Sequence, residues 1–166
     1  MKIITANPAR CLSCHSCELA CQVSHSPAGE LISAMLLGQR SKRRIYVESA
    51  GGKAVPISCR HCEKAPCMTV CPTGAIKRDH RTQAVLIEEE LCIGCRSCIL
   101  VCPFGVICLV KDKGIAVKCD LCKGKEPPSC VSACPTGALS LSQPDELAKI
   151  HRAKTALETW KSFCHT

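Results

Sequence analysis

The apolar positions of this chain come in short bursts rather than long stripes. Residues 2–5, 84–87, 114–118 and 138–141 are β-branched or alternating runs of strand length, and none is long enough to seed a large sheet. Residues 30–37 (ELISAMLL) predict a short helix ended by Gly38. Residues 44–48 and 53–57 predict two strands joined at Ser49-Ala-Gly-Gly52, a hairpin signal. The longest amphipathic pattern is C-terminal. There Ser142 can cap a helix, Pro144 suits its first turn, and Asp145 and Glu146 complement the positive end of the helix dipole. On that helix Ile150, Ala153, Leu157, Trp160 and Cys164 share one face, with Lys149, Arg152 and Glu158 off it. Such a stripe needs a surface to cover it. The two alternatives are the body of its own chain and a neighbouring subunit, against which Trp160 would serve as anchor.

Between these elements cysteine dominates. The chain has 18 cysteines in 166 residues, whereas its only aromatics are Tyr46, Phe104, Trp160 and Phe163. A chain so poor in bulky side chains buries little apolar area, so something else must fill its interior. The cysteines form four groups. The first is Cys11, Cys14, Cys17 and Cys21; the second Cys59, Cys62, Cys67 and Cys71; the third Cys92, Cys95, Cys98 and Cys102; the fourth Cys119, Cys122, Cys130 and Cys134. Cys108 and Cys164 are left over, the first expected as a small buried hydrophobe and the second as part of the tail's apolar face.

The spacing carries the chemistry. The third group reads C-x2-C-x2-C-x3-C-P, a run of bacterial iron–sulfur ligation in which three thiolates hold one cubic cluster and the fourth reaches a neighbouring one. The first group repeats the spacing without the proline. Zinc is the rival metal, but a four-cysteine zinc site draws on two separated pairs, and a third thiolate this close has no natural place on a single ion. Groups two and four, with x4 and x7 gaps, are tied to the same class by their C-x3-C-P endings. One hexapeptide is written three times: Cys71-Pro-Thr-Gly-Ala-Ile76, Cys102-Pro-Phe-Gly-Val-Ile107 and Cys134-Pro-Thr-Gly-Ala-Leu139. Proline ends the preceding helical turn, and the apolar pair opens a strand. Strand, cysteine loop, short helix and strand, repeated, is the build of a small bicluster ferredoxin.

Charge and composition narrow the classes. The formal charge of +8 would suggest nucleic acid or an acidic membrane. A thiolate-ligated cube carries roughly −2 when oxidised, so four of them would offset the excess. No apolar run has the length of a signal peptide or a membrane span, so reduced thiols in a cytoplasm are expected rather than disulfides. Arg40, Lys42, Arg43 and Arg44 form a basic run, read either as a solvated face or as a docking patch for an acidic partner. Lys111, Lys113, Lys118, Lys123 and Lys125 crowd the fourth group and are expected to make its cluster less reducing. Neither a catalytic triad order nor a phosphate loop nor a paired-carboxylate motif is present, so no catalysis is expected. His61 is expected to hydrogen-bond near a cluster, His15 to face outward, and His25, His80, His151 and His165 carry no pattern.

With its four groups, Cys59-Arg-His-Cys62 and Ala65-Pro-Cys67, the chain resembles over residues 1–142 the four-cluster electron-transfer subunits of the DMSO-reductase-beta type. It is similar to the small members that accompany carbon monoxide dehydrogenase, hydrogenase, formate dehydrogenase and tungsten aldehyde oxidoreductase. The resemblance implies an α+β fold: two bicluster ferredoxin-like modules related by pseudo-symmetry, with an insertion and a C-terminal helix. The modules would be residues 1–25 plus 111–142 and residues 56–110, with residues 26–55 the insertion and 143–166 the helix. It also implies four [4Fe–4S] clusters with ligand sets Cys11, Cys14, Cys17, Cys134; Cys119, Cys122, Cys130, Cys21; Cys59, Cys62, Cys67, Cys102; and Cys92, Cys95, Cys98, Cys71. The implied partners are a tungsten, molybdenum or other metalloenzyme subunit and a flavin NAD-linked subunit, with self-association through the C-terminal helix and without nucleic acid or membrane. A structural zinc scaffold and a freely diffusing ferredoxin are the alternatives left open.

Overall fold

The computed structural model describes residues 1–39, 41–123 and 125–164, with Cys164 placed by its backbone alone. The chain opens with β1 (Ile3–Ala6) and a 3-10 turn at Pro8–Arg10, where the Asn7 side chain accepts a hydrogen bond from the Ala9 N–H. Next come α1 (Ser16–Ser24), α2 (Leu31–Leu36), and the hairpin of β2 (Ile45–Ala50) and β3 (Lys53–Ser58). Gly51 and Gly52 at its tip have φ of 57° and 76°, the conformation that a two-residue primed turn demands. The middle of the chain supplies α3 (Pro66–Thr69), β4 (Ile76–Arg78), β5 (Val85–Ile87), α4 (Ser97–Leu100), β6 (Cys108–Val110) and β7 (Ile115–Val117). The last elements are α5 (Ser129–Ser132), β8 (Leu139–Ser142) and α6 (Pro144–Cys164). The predicted strands, hairpin and helices all form, with ends shifted by one or two residues.

The strands make four separate antiparallel pairs, β1–β8, β2–β3, β4–β5 and β6–β7. Pairing of β1 with β8, in register from Ile3 opposite Ser142 to Ala6 opposite Leu139, closes the chain on itself. It sets the first cysteine group beside the fourth, and α1 packs on α5. In the same way α3 packs on α4, beside groups two and three. The hairpin lies against α1 and β1 and contributes Ile45, only 2% exposed, to the interior. Residues 44–58 therefore belong to the body of the protein.

The interior has two cores. In the first, five of the nine buried residues are cysteines (Cys17, Cys21, Cys59, Cys119, Cys130), packed with Ile4, Ile45, Val106 and Leu139. The second gathers Ala65, Ile76, Val85, Cys98, Ile107 and Ala116. Cys102 packs against both. Cysteine thus takes the volume that aromatics fill in an ordinary domain of this size.

Two details differ from expectation, and a third bears on an alternative left open. Ser142 is the last residue of β8, its hydroxyl 3.3 Å from Ser140 Oγ, and the cap of α6 falls one residue later. There the Glu146 carboxylate accepts from the Gln143 N–H (3.2 Å), half of a capping box. The stripe of α6 does not lie on its own domain, for Ile150, Leu157 and Trp160 are 54–68% exposed. Cys108 opens β6 only half buried, rather than sealed in a core; the side chain of Cys164 lies outside the described residues.

The turn between β6 and β7 presses on the third cysteine loop. A Cβ at Gly94 would sit 2.0 Å from the Gly114 carbonyl oxygen, whereas one at Gly105 would meet open space; φ is +67° and +62° respectively. Gly105→Ala should cost only the left-handed backbone term, about 1–2 kcal/mol, or roughly 2–8 °C of melting temperature for a chain of this length. Gly94→Ala must also move the loop or the turn. Anaerobic purification should therefore give Gly94→Ala with reduced iron content and Gly105→Ala with the full complement.

Candidate metal centres

Groups one and three build the same kind of loop. Ser13 and His15 in the first, and Gly94 and Arg96 in the third, have φ between 55° and 69°. Left-handed residues between the cysteines curl the backbone so that N–H groups line a concavity suited to anions. The three copies of the hexapeptide fold alike too. Gly74, Gly105 and Gly137 have φ of 60–64°, and each donates its N–H to the carbonyl of the cysteine three residues before it, at 3.2–3.3 Å.

These turns bring distant cysteines together. Cys11, Cys14, Cys17 and Cys134 line one small cavity, with Val47, Pro56 and Leu139 as apolar walls. Cys71, Cys92, Cys95 and Cys98 line a second, walled by Ile76, Ile87 and Ala116. Cys14 and Cys95 are exposed at their outer edges. The Ser16 hydroxyl and N–H beside Cys14 lower its pKa. Partial burial of Cys71 and Cys134 opposes ionisation but is outweighed by the Thr73 and Thr136 hydroxyls and nearby N–H groups, so both fall below the ordinary thiol value. Burial pushes Cys17 and Cys98, at the inner edges, up to about 11.

Of the other eight cysteines, Cys21, Cys59, Cys119, Cys122 and Cys130 are buried and Cys62, Cys67 and Cys102 half-buried. Cys130 sits beside Cys119, Cys21 and Cys122, and burial together with their charges drives its thiol far up. Burial also pushes Cys119 up to about 12. Cys67 lies beside Cys59 and Cys102, its pKa raised by burial against the pull of Lys118. Cys62 packs on the same core as Cys67 and Cys102. The sets also lie close to one another, for the charges of Cys17, Cys59 and Cys67 are felt at Cys130, Cys119 and Cys98 respectively.

The donors around the sulfurs suit a polynuclear sulfide cofactor. Backbone N–H groups of Ala138, Arg44, His61, Ala116 and Leu121 donate to the Sγ atoms of Cys134, Cys21, Cys59, Cys92 and Cys119 at 3.2–3.5 Å. Two buried nitrogens, Arg44 Nε and His61 Nε2, have no acceptor among the described residues. An orphaned buried donor costs about 1–3 kcal/mol, and sulfide ions of a bound cluster are the acceptors these positions lack. His61 is fully buried, and its Nδ1 accepts from the Val85 N–H (3.1 Å). Burial and the nearby Lys118 charge hold its pKa down to about 4. It is a neutral neighbour of the sulfurs, its backbone N–H on Cys59 Sγ, and His15, half exposed and 3.1 Å from Glu18, stands at the rim of the first cysteine cavity.

The sequence reading missed a polar network beside Cys21. Asp120 accepts from Arg44 Nη1 (2.7 Å), His25 Nε2 (3.0 Å) and the Cys122 N–H (2.9 Å), while His25 Nδ1 donates to the Cys21 carbonyl (2.8 Å). Burial opposes charge on both groups, yet the hydrogen bonds prevail: Asp120 is held at about 2 and His25 raised to about 10. The basic run is thus only partly a solvated face. Arg44 turns inward; Arg43 stacks on Tyr46 at 5.2 Å and pairs with Glu18 at 3.3 Å; Arg40 lies outside the described residues. Nothing in the local spacing of His25 and Asp120, 95 residues apart, signals the network.

Because His25 is raised above its ordinary 6.5, its stabilisation is complete below pH 6.5 and lost as pH climbs towards about 10. Asp120, lowered from 3.8, loses its share only as pH falls from there towards about 2. Cofactor bleaching in mild denaturant should therefore accelerate between pH 6.5 and 10 in the wild type. His25→Phe should bleach faster at pH 6.5 and show a flatter pH profile, read by visible absorbance.

A family profile described as "4Fe-4S dicluster domain" matches residues 52–144, and one described as "4Fe-4S binding domain" matches residues 8–24. An iron-sulfur protein of Rhodospirillum rubrum is 43% identical, the alignment covering 98% of this chain and 93% of that one. Electron transport protein HydN of Escherichia coli is 37% identical over 94% of this chain and 98% of its own. The thiosulfate reductase electron transfer subunit PhsB of Salmonella typhi is 38% identical over 82% and 73%. Its cofactors are [4Fe–4S] clusters, and the chain belongs to the 4Fe-4S dicluster-domain family of iron–sulfur electron-transfer proteins.

Proposed function

We propose that this chain is the four-cluster wiring subunit of a multi-subunit oxidoreductase, passing single electrons between a catalytic metalloenzyme subunit and a second redox module. The observation that supports this reading is that Cys11, Cys14, Cys17 and Cys134 line one cavity and Cys71, Cys92, Cys95 and Cys98 another, with Cys17 near Cys130, Cys119 near Cys59 and Cys67 near Cys98 between them; the proposed order is Cys11/Cys14/Cys17/Cys134, Cys119/Cys122/Cys130/Cys21, Cys59/Cys62/Cys67/Cys102 and Cys71/Cys92/Cys95/Cys98. The first and last sets reach the surface at Cys14 and Cys95, whereas the middle two contain no exposed cysteine. Each cluster, when bound, supplies one-electron chemistry. The chain's own residues space the ligand sets, shield the inner ones from water, and direct N–H groups at the sulfurs. Each set is all-thiolate, so no open coordination position is left for a substrate, and the role is that of a carrier. The two ferredoxin-like modules would be residues 1–25 with 111–142, and 56–110. The names of HydN and PhsB favour an electron-transfer subunit over a zinc scaffold. A metalloenzyme of the aldehyde, formate, carbon monoxide or hydrogen class and a flavin NAD-linked module are the partners this reading takes.

Anaerobically purified protein should hold about 16 irons per chain, four per cubic cluster, with broad visible absorbance that dithionite bleaches. Colourless protein with zinc in place of iron would sink the reading.

One observation favours assembly over free diffusion. Helix α6 carries Ile150, Leu157 and Trp160 outward on a stem that no other part of the described chain covers. Burying three such side chains offers several kcal/mol, at about 1.5–3 kcal/mol each. Deleting residues 143–166 should convert an oligomer to a monomer by light scattering while leaving iron content intact; an unchanged oligomeric state would remove this role.

A further inference from the structure

Five lysines crowd the fourth cysteine group, but the fold treats one of them differently. Lys111, Lys123 and Lys125 are exposed, and Lys113 pairs with Glu89 at the surface. Lys118 is only 3% exposed. Its Nζ donates to the Val85 carbonyl, to the Cys119 carbonyl (3.2 Å) and to Cys59 Sγ (3.5 Å). Taking an ammonium out of water costs several kcal/mol, and carbonyl dipoles alone do not neutralise it. The compensating charge at this place is sulfur.

The position of that ammonium is specific. Lys118 leaves the end of β7, whose Val117 is buried opposite Cys108 in β6. Its own backbone leads directly into Cys119, of the set Cys119/Cys122/Cys130/Cys21. Its side chain reaches Cys59, of the set Cys59/Cys62/Cys67/Cys102. The Val85 peptide, which accepts from Lys118 and donates to His61, anchors the junction from the β5 side. A buried cation of the described chain therefore sits between Cys59 of one inner set and Cys119 of the other. Exposed lysines act through water and salt, which screen them over about 8 Å at physiological ionic strength. A charge enclosed between two clusters acts on both through protein of low dielectric.

Resting on the four-cluster reading above, we propose that Lys118 is a positioning residue of the relay, the shared counter-charge of its two inner clusters. A bound inner cluster that took up one electron would gain one negative charge, and the Lys118 ammonium would stabilise that charge on either side of the seam. The inner pair is thereby less reducing than the same clusters would be without it. The electron leaves by moving to the neighbouring cluster, with no proton and no bond change.

The test is an anaerobic redox titration of the full chain followed by electron paramagnetic resonance, with iron counted in every sample. In Lys118→Gln two of the four midpoint potentials should move negative and two should stay, while Lys118→Arg should restore wild-type values. Four unmoved midpoints in iron-replete Lys118→Gln, or a shift confined to one cluster, would overturn the proposal. Should Lys118→Gln lose iron, Lys118→Arg decides: wild-type iron and potentials support the shared charge, and an equal loss assigns the residue to packing alone. Wild-type protein without iron would instead remove the four-cluster reading itself.

Discussion

Everything in this structure depends on thiolate–metal bonding. Five buried cysteines take the centre of the first core, and burial pushes up the thiols of three of them, Cys17, Cys119 and Cys130. As free thiols they are small hydrophobes offering little packing area; as free thiolates they repel and are starved of solvent. Iron and sulfide turn both liabilities into bonds. That is how a chain with four aromatic residues can hold an interior. The secondary structure follows from this role: strand pairs of three to six residues serve as clasps for cysteine loops rather than as layers of a conventional sheet.

The clasp between β1 and β8 has the largest consequence. It joins the ends of the cysteine-bearing chain and lets Cys134 complete the cavity of the first group. In the proposed arrangement, exchange of fourth cysteines between groups makes the sets neighbours. A cysteine such as Cys102, packed against both cores, cannot belong to an isolated site. Around the sets, the left-handed residues and the threonines of the repeated hexapeptide supply N–H and O–H groups where negative charge will sit. Thiols near the surface at Cys14, Cys71 and Cys134 are eased towards ionisation, whereas burial raises those at Cys17, Cys98, Cys119 and Cys130.

Much of this was legible in the sequence because cysteine spacing is local. The four groups, the hexapeptide turn, the hairpin at Ser49-Ala-Gly-Gly52 and the strand before each loop are decided within six or so residues. The unread parts are those decided across the chain. His25 and Asp120 meet only because α1 packs on α5 beside the fourth group, and a lone histidine four residues past Cys21 carries no signal of it. Lys118 looked like one of five basic residues until the end of β7 aimed it inward. The amphipathic pattern of α6 was read correctly as a helix, but a stripe cannot say what covers it. The shift of its cap from Ser142 to Gln143 reflects competition, since the Ser142 hydroxyl is already engaged in the β1–β8 pair.

The central claim is that four clusters stand in one line, linked by exchanged cysteines. Anomalous scattering at the iron edge, from crystals grown anaerobically, addresses it most directly. The account predicts four compact iron peaks in succession, the two interior ones flanking Lys118, with Cys102 bound to the cluster of Cys59, Cys62 and Cys67. Cys102 bound instead to the iron of Cys92, Cys95 and Cys98, or peaks scattered rather than aligned, would contradict it.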